Sequence, residues 1–280
     1  MFANLSGPQR AAVFYVIALS LAVLVSAFVG VFGEFTGLVT MLTPAVATVI
    51  LMLATGEGLG RSGLASLGVT TLGLRGWWLA ILGPVVILAA GYALLVAMGV
   101  ASFHVPDTIG RSGLEIGASL ALGLALGVVF SFGEEVGWRG YMLPKLAGVG
   151  LVPAMLIVGF LHGVWHMPIM LMTPFYHAGA NPLVVVPMFL LAITLAGVFF
   201  GFLRVWTGSV WPVVIAHTMH NFAWSTGGDL VVADDPGMME YLGGESGIVE
   251  IAALAIFAVV LVAVLRGGIA GRRNAVLAAG

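Results

Sequence analysis

From Trp77 to Val100 the chain carries no charged side chain, and from Ile116 to Phe132 it again carries none. A bilayer's hydrocarbon core asks for roughly 20 mainly apolar residues per helical crossing. Eight such spans are expected, at about Ala11–Phe32, Gly37–Ala54, Trp77–Val100, Ile116–Tyr141, Val152–Thr173, Leu183–Leu203, Ser209–Trp224 and Ile248–Leu265. The 280 residues are 61% hydrophobic and 8% charged, where a soluble domain has roughly 45–50% apolar and about 25% charged residues. The fold class expected is therefore an all-α integral membrane protein, a bundle of about eight transmembrane helices with a polar intramembrane site. It reads as a single membrane domain over 1–280: spans 1–3 in 1–115, a catalytic core of spans 4–7 in 116–225, and an acidic loop with the last span in 226–280. No repeat and no second domain is visible.

The composition also excludes chemistry. With no cysteine, disulfides, thiolate catalysis and cysteine-based metal sites are out. A net charge of −2 gives no surface for nucleic acid. The 40 glycines suit close helix packing. The first apolar run is longer than a signal-peptide core, so a retained span is expected there. Basic residues in short loops set orientation. Arg10, Arg61, Arg75, Lys145, Arg204, Arg266, Arg272 and Arg273 all fall on the side of the N-terminus, and Arg111 alone falls opposite. The expectation is a multi-pass cell-membrane protein with both termini cytoplasmic and the acidic stretch Asp229–Glu250 outside. The Glu57–Gly76 connection reads either as a segment on the cytoplasmic surface or as a flexible connector.

Against this background Ser131–Lys145, SFGEEVGWRGYMLPK, stands out. Glu134, Glu135 and Arg139 follow directly on an uncharged run, and ionisable groups at membrane depth mark a site by default. Two later stretches are polar at the same depth: FLHGVWHMP at Phe160–Pro168 and AHTMHNF at Ala216–Phe222. At about 1.5 Å rise per residue, Glu134 lies roughly 15 Å, His166 roughly 21 Å, His217 roughly 13 Å and Asn221 roughly 20 Å from the cytoplasmic helix ends. The i,i+4 pairs Glu135/Arg139, His162/His166 and His217/Asn221 each share a helix face. A carboxylate in a low-dielectric pocket can serve as a base near neutral pH. An imidazole beside it can share the attacking water, and an amide with a second imidazole can donate to an oxyanion. The inventory has no G-x-S-x-G, no H-E-x-x-H and no cysteine, which excludes serine hydrolases and ordinary zincins.

Glu134–Arg139, E-E-V-G-W-R, resembles the EExxxR motif of the CAAX-protease and bacteriocin-processing (CPBP, or Abi) family of intramembrane proteases, which includes the type II CAAX prenyl endopeptidases. His162–His166 resembles the second motif, [F/W]xxxH, in its final histidine, and His217–Asn221 the third, Hxxx[N/D/B]. Ser209–Ala216 is similar to that family's lead-in, and the likeness covers about Leu126–Trp224. One departure is visible: His162 stands where the family has an aromatic, with Phe160 and Trp165 out of register. The resemblance implies an intramembrane endopeptidase acting on a peptide or protein substrate at the membrane. In it Glu134 would be the base that activates water, helped by His166, and His217 and Asn221 would stabilise the oxyanion. Glu135 and Arg139 would hold the geometry. Members are described both as metalloproteases and as metal-independent glutamate proteases. Glu134, His166 and His217 have ligand types for a zinc site with an open position, so zinc stays open as a cofactor, with the metal-independent mechanism preferred.

Taken singly, Glu135–Arg139 reads as a buried structural ion pair and His162 as a core histidine bonded to a carbonyl. His220 is expected to face away from the His217 stripe, and His104 and His177 to lie in loops. Two other function classes remain: a proton-coupled transporter, since buried Glu and His also form proton relays, and a catalytically silent membrane partner or immunity protein of the same family. The site is expected to open towards the Lys145 and Gly208 end, with Gly137 and Gly140 leaving room beside the carboxylates.

Overall fold

The computed structural model describes residues 4–105, 112–177, 180–233 and 235–268. Arg111, Arg272 and Arg273 of the orientation count, and Asp234 of the acidic stretch, lie outside the described residues. The principal helices are α1 (Gly7–Ala27), α2 (Thr36–Thr55), α3 (Trp77–Ala97), α4 (Gly113–Glu135), α5 (Leu151–Trp165), α6 (Met167–Met172), α7 (Pro182–Thr207), α8 (Trp211–Leu230), α9 (Pro236–Leu242) and α10 (Ile248–Gly268). Seven helical stretches among the described residues are long and apolar enough to cross a membrane. The expected seventh span is the exception. It forms as α8, whose 20 residues are about 30 Å long, but His217, His220, Asn221 and Asp229 dilute its hydropathy. The all-α membrane architecture therefore stands, with seven apolar spans and α8 as a polar helix packed among them.

Local sequence sets the helix ends. Ser112 and Glu115 form a reciprocal cap on α4: Ser112 N donates to Glu115 Oε2 at 2.7 Å and Glu115 N to Ser112 Oγ at 3.3 Å, satisfying N–H groups that a helix start leaves free. Asn181 Oδ1 accepts from Leu183 N at 3.0 Å ahead of Pro182 at the start of α7. Gly208 ends α7 with φ 73°, a left-handed conformation that glycine takes at no steric cost.

α7 packs on α5 and α10, and α8 on α3 and α4. The α5–α7 crossing has no room for a side chain. A Cβ on Gly159 would lie 2.8 Å from the Thr194 carbonyl oxygen, and one on Gly197 would lie 2.7 Å from Gly159 Cα. Backbones this close gain van der Waals contact that lipid cannot supply. A two-stranded antiparallel ribbon, Ser102–Phe103 with Val231–Val232, ties the segment after α3 to the end of α8.

The two ends of the bundle differ in charge. At one, Glu57 accepts from Arg10 and from Lys145, each at 2.6 Å, and Arg75 donates to the Trp206 carbonyl. The Glu57–Gly76 connection lies here, and it is packed rather than free. The carbonyl of Ser66 receives Arg204 at 3.1 Å, that of Gly68 receives Val210 N at 3.1 Å, and that of Val69 receives Trp211 Nε1 at 2.9 Å. Arg204, expected in a loop, is buried in α7. Glu34, Asp229, Glu240 and Glu245 lie towards the other end.

Candidate active site

α4 ends on Glu134 and Glu135, and the chain continues as a π-helical turn over Val136–Met142. Such widened turns collect at functional sites. This one presents Arg139 back to Glu135, with NH1 donating to Oε1 at 2.9 Å and Oε2 at 3.0 Å. Arg204 clasps the turn from α7, its Nε donating to the Arg139 carbonyl at 3.2 Å. Glu134, Glu135, Arg139 and His162 are all 1% exposed or less. With so little exposure, the charges of Glu135 and Arg139 depend on their partners.

Two elements bring the histidines in, α5 with its C-terminal cap and α8. His162, from α5, places Nε2 at 2.6 Å from Glu134 Oε2 and Nδ1 at 3.2 Å from Arg139 NH1. His166, one turn on, donates from Nδ1 to the His162 carbonyl at 3.0 Å. His217, from α8, donates from Nδ1 to Glu135 Oε1 at 2.8 Å. Glu134, His162, His166, His217 and Asn221 all line one cavity of about 440 Å³. The four positions expected to carry the chemistry are thus brought together. His162 joins them and is no isolated core histidine, since its ring, not a carbonyl contact, touches Glu134. His220, expected to face away, also lines this cavity, with Nε2 3.8 Å from Glu245.

The cavity's polar floor is Glu134 and the histidines. Phe189, Ile193 and Phe200 of α7 form an apolar wall. Glu34, which is exposed, and Tyr176 and Glu245, from connections at the acidic end, complete the lining. No lining residue comes from the Lys145 and Gly208 end. The expected direction of opening is therefore reversed. The glycines explain part of this: a Cβ on Gly137 would meet Pro44 and Phe14 at 2.6 and 2.9 Å, and one on Gly140 the Leu67 carbonyl at 3.2 Å. These glycines admit neighbouring helices and leave no space beside the carboxylates.

Tyr176 and Glu245 escaped the sequence reading. Glu245 accepts from Tyr176 Oη and from His177 Nε2, the latter at 3.2 Å, and His177 Nδ1 donates to Glu240. His177 does lie in a loop, as expected. Burial alone would lower its pKa, but the Glu240 and Glu245 carboxylates outweigh burial and hold it up at about 9. Burial works to raise Glu245, but His177 and His220 hold it well below the ordinary carboxylate range.

A carboxylate and two imidazoles are the right types for zinc. Among the described residues, Glu134, His162 and His166 have donor atoms within 4.8 Å of one another, a group that contains Glu134 and His166 of the expected ligands and has His162 in place of His217. The hydrogen-bond chemistry argues against this trio. Arg139 only donates, so His162 Nδ1 must accept and the ring proton sits on Nε2. A protonated nitrogen is no ligand, and a ligating histidine normally donates its other N–H to an acceptor. The set does not fit a three-ligand zinc site.

A search of curated proteins finds no match. Residues 116–223 match the family model of the Rce1-like type II CAAX prenyl endopeptidases, a segment that runs from α4 to α8 and carries Glu134, Glu135, Arg139, His162, His166, His217 and Asn221. Over residues 116–223 this multi-pass membrane protein is thus similar to the CAAX-protease (CPBP) family, which the match supports.

Proposed function

We propose that the chain is an intramembrane endopeptidase that hydrolyses a peptide bond with water activated by Glu134. The observation that carries this reading is one ionisable carboxylate, buried at the floor of a cavity large enough for a peptide segment, with imidazoles on two sides. Glu134 takes a proton from water as the water oxygen bonds to the scissile carbonyl carbon. His166, with its Nδ1 proton given to a carbonyl, keeps Nε2 free to accept from the same water. Asn221, one turn beyond His217 on α8, offers its amide N–H to the oxyanion, and His217, whose Nδ1–H is held by Glu135, joins it as a donor only when Nε2 also carries a proton. A donor aimed at developing charge in a dry site supplies a large share of such a barrier reduction. Glu135 fixes the His217 ring through Nδ1, and Arg139 neutralises Glu135. Collapse breaks the C–N bond, and Glu134 returns its proton to the departing amine. The substrate is a peptide or membrane-bound protein segment that brings apolar side chains to the Phe189–Phe200 wall. The charge asymmetry of the two ends supports an orientation with the Arg10–Lys145 end in the cytoplasm.

The test is hydrolysis of internally quenched peptides with apolar C-terminal halves by the purified protein in lipid nanodiscs. Wild type should cleave a subset of them, and Glu134→Gln should lose about 10³-fold or more. A Glu134→Gln protein with wild-type turnover would refute the assignment.

A further inference from the structure

The family's second motif begins with an aromatic, and this chain has His162 there. Its ring still does an aromatic's packing: it stacks on Trp138 at 5.0 Å and 29° and lies 5.8 Å from Trp165. It also does what no phenyl ring can. Arg139 NH1 stands between Glu135 and His162, 2.9 Å from Glu135 Oε1 and 3.2 Å from His162 Nδ1. Because guanidinium only donates, the direction of every bond in the chain is fixed. Arg139 donates to Glu135 and to His162 Nδ1, and His162 Nε2–H donates to Glu134 Oε2 at 2.6 Å. No hydrogen bond forms to Glu134 Oε1 among the described residues. His166 carries the opposite tautomer, since its Nδ1 faces the His162 carbonyl.

We propose that His162 is a positioning residue: locked by Arg139 as the Nε2–H tautomer, it holds one oxygen of Glu134 and leaves the other to take the proton of the attacking water. The inference rests on Glu134 being the base. A charge-assisted bond of this length fixes the carboxylate's rotation, and small misplacements of a base cost orders of magnitude in rate. Glutamine can replace His162 in both roles, its amide oxygen accepting from Arg139 and its amide N–H donating to Glu134. Phenylalanine, the family's residue type, can do neither.

Two measurements test this on the full chain in nanodiscs. The first needs no substrate: ¹⁵N spectra of histidine-labelled wild type, assigned with His162→Gln. The expected result is a neutral His162 protonated at Nε2 beside a neutral His166 protonated at Nδ1. Protonation of His162 at Nδ1, or a metal-shifted Nε2 resonance, would overturn the proposal. The second is the quenched-peptide assay. His162→Phe should lower kcat about 10²-fold with KM nearly unchanged, and His162→Gln should recover at least about tenfold of that loss. A Phe variant with wild-type kcat, or a Gln variant no better than Phe, would also overturn it. Glu134→Gln runs alongside. If that variant stays active while the His162 tautomer is as expected, the base assignment has failed and the geometry has not.

Discussion

Glu135 Oε1 accepts two hydrogen bonds from different helical segments, from Arg139 NH1 at 2.9 Å and from His217 Nδ1 at 2.8 Å. One carboxylate oxygen therefore couples the charge balance of α4 to the orientation of a ring on α8. Removing one member of a buried pair strands the other's charge, at a cost of about 3–5 kcal/mol. Arg139→Met should lower stability by that order and abolish cleavage. Glu135→Leu combined with Arg139→Met should regain much of the stability and none of the activity, because His217 still lacks its anchor. Chemical unfolding in detergent, read beside peptide cleavage, separates the two effects. A double variant no more stable than Arg139→Met would show that the stranded charge is not what the single change costs.

The α5–α7 crossing should be the least forgiving packing contact. A Cβ on Gly197 would sit 2.7 Å from Gly159 Cα and 3.0 Å from the Met155 carbonyl oxygen. Both obstacles are backbone, so the helices must part. Gly197→Ala should cost about 1–3 kcal/mol, and Gly197→Leu should prevent stable folding. Gly123, which a Cβ would leave untouched within 4 Å, is the control position. A fully stable Gly197→Leu protein would contradict the crossing.

The fold was legible in the sequence because crossing a bilayer imposes length and hydropathy on every span. α8 met the length and fell short in hydropathy, since it carries part of the site. Glu134, Glu135 and Arg139 were legible as charges following an uncharged run, and the His217/Asn221 stripe by its spacing. His162 was not, because a histidine on an apolar helix face reads as packing until Arg139 is seen across from it. Tyr176 and Glu245 were invisible, since 69 residues separate them and neither sits in a motif. The direction of opening was misread for a related reason: a glycine beside a carboxylate looks like space, and here it is where Phe14, Pro44 and Leu67 come in.

Chelation should leave cleavage intact, and elemental analysis of purified protein should find no stoichiometric zinc. The reason is the direction of the Arg139–His162–Glu134 bonds, which puts a proton where a ligand lone pair would have to be. One equivalent of zinc, lost together with activity and restored with it, would reverse this expectation.

Glu245 fastens the loop after α6 to α8 through Tyr176, His177 and His220. The His177 contribution has a definite pH window. Its pKa rises on folding from 6.5 to about 9, so its stabilisation is complete below about 6.5 and is lost as pH rises through about 9. Glu245 is shifted the other way, so its share persists above the ordinary carboxylate range and fades only as pH falls. Tm should therefore drop between pH 6.5 and 9.5, and His177→Asn should flatten that drop. An equal drop in the variant would assign the pH dependence elsewhere.

Substrate should enter from the end of the bundle at which Glu34 lies. Glu34 is exposed and also lines the cavity, so it marks the mouth. Gly60 is exposed in the connection that holds Glu57, and Glu57 is paired with Arg10 and Lys145 at the opposite end of the bundle. Basic residues are retained on the cytoplasmic side, so Gly60 should lie inside and the mouth outside. Peptide backbone cannot be left unsatisfied in lipid, so a substrate must pass through this wet opening, beneath Glu34, Tyr176 and Glu245. Because the chain has no cysteine, Glu34→Cys and Gly60→Cys each give one labelling site. A membrane-impermeant maleimide should modify Glu34→Cys in intact cells and Gly60→Cys only in inside-out vesicles. A bulky adduct at position 34 should slow cleavage of long peptides more than short ones, whereas an adduct at position 60 should not. Labelling with the sides exchanged would invert the orientation and leave the mouth where it is. An adduct at position 34 that slows nothing would instead mean that substrate reaches Glu134 by another path.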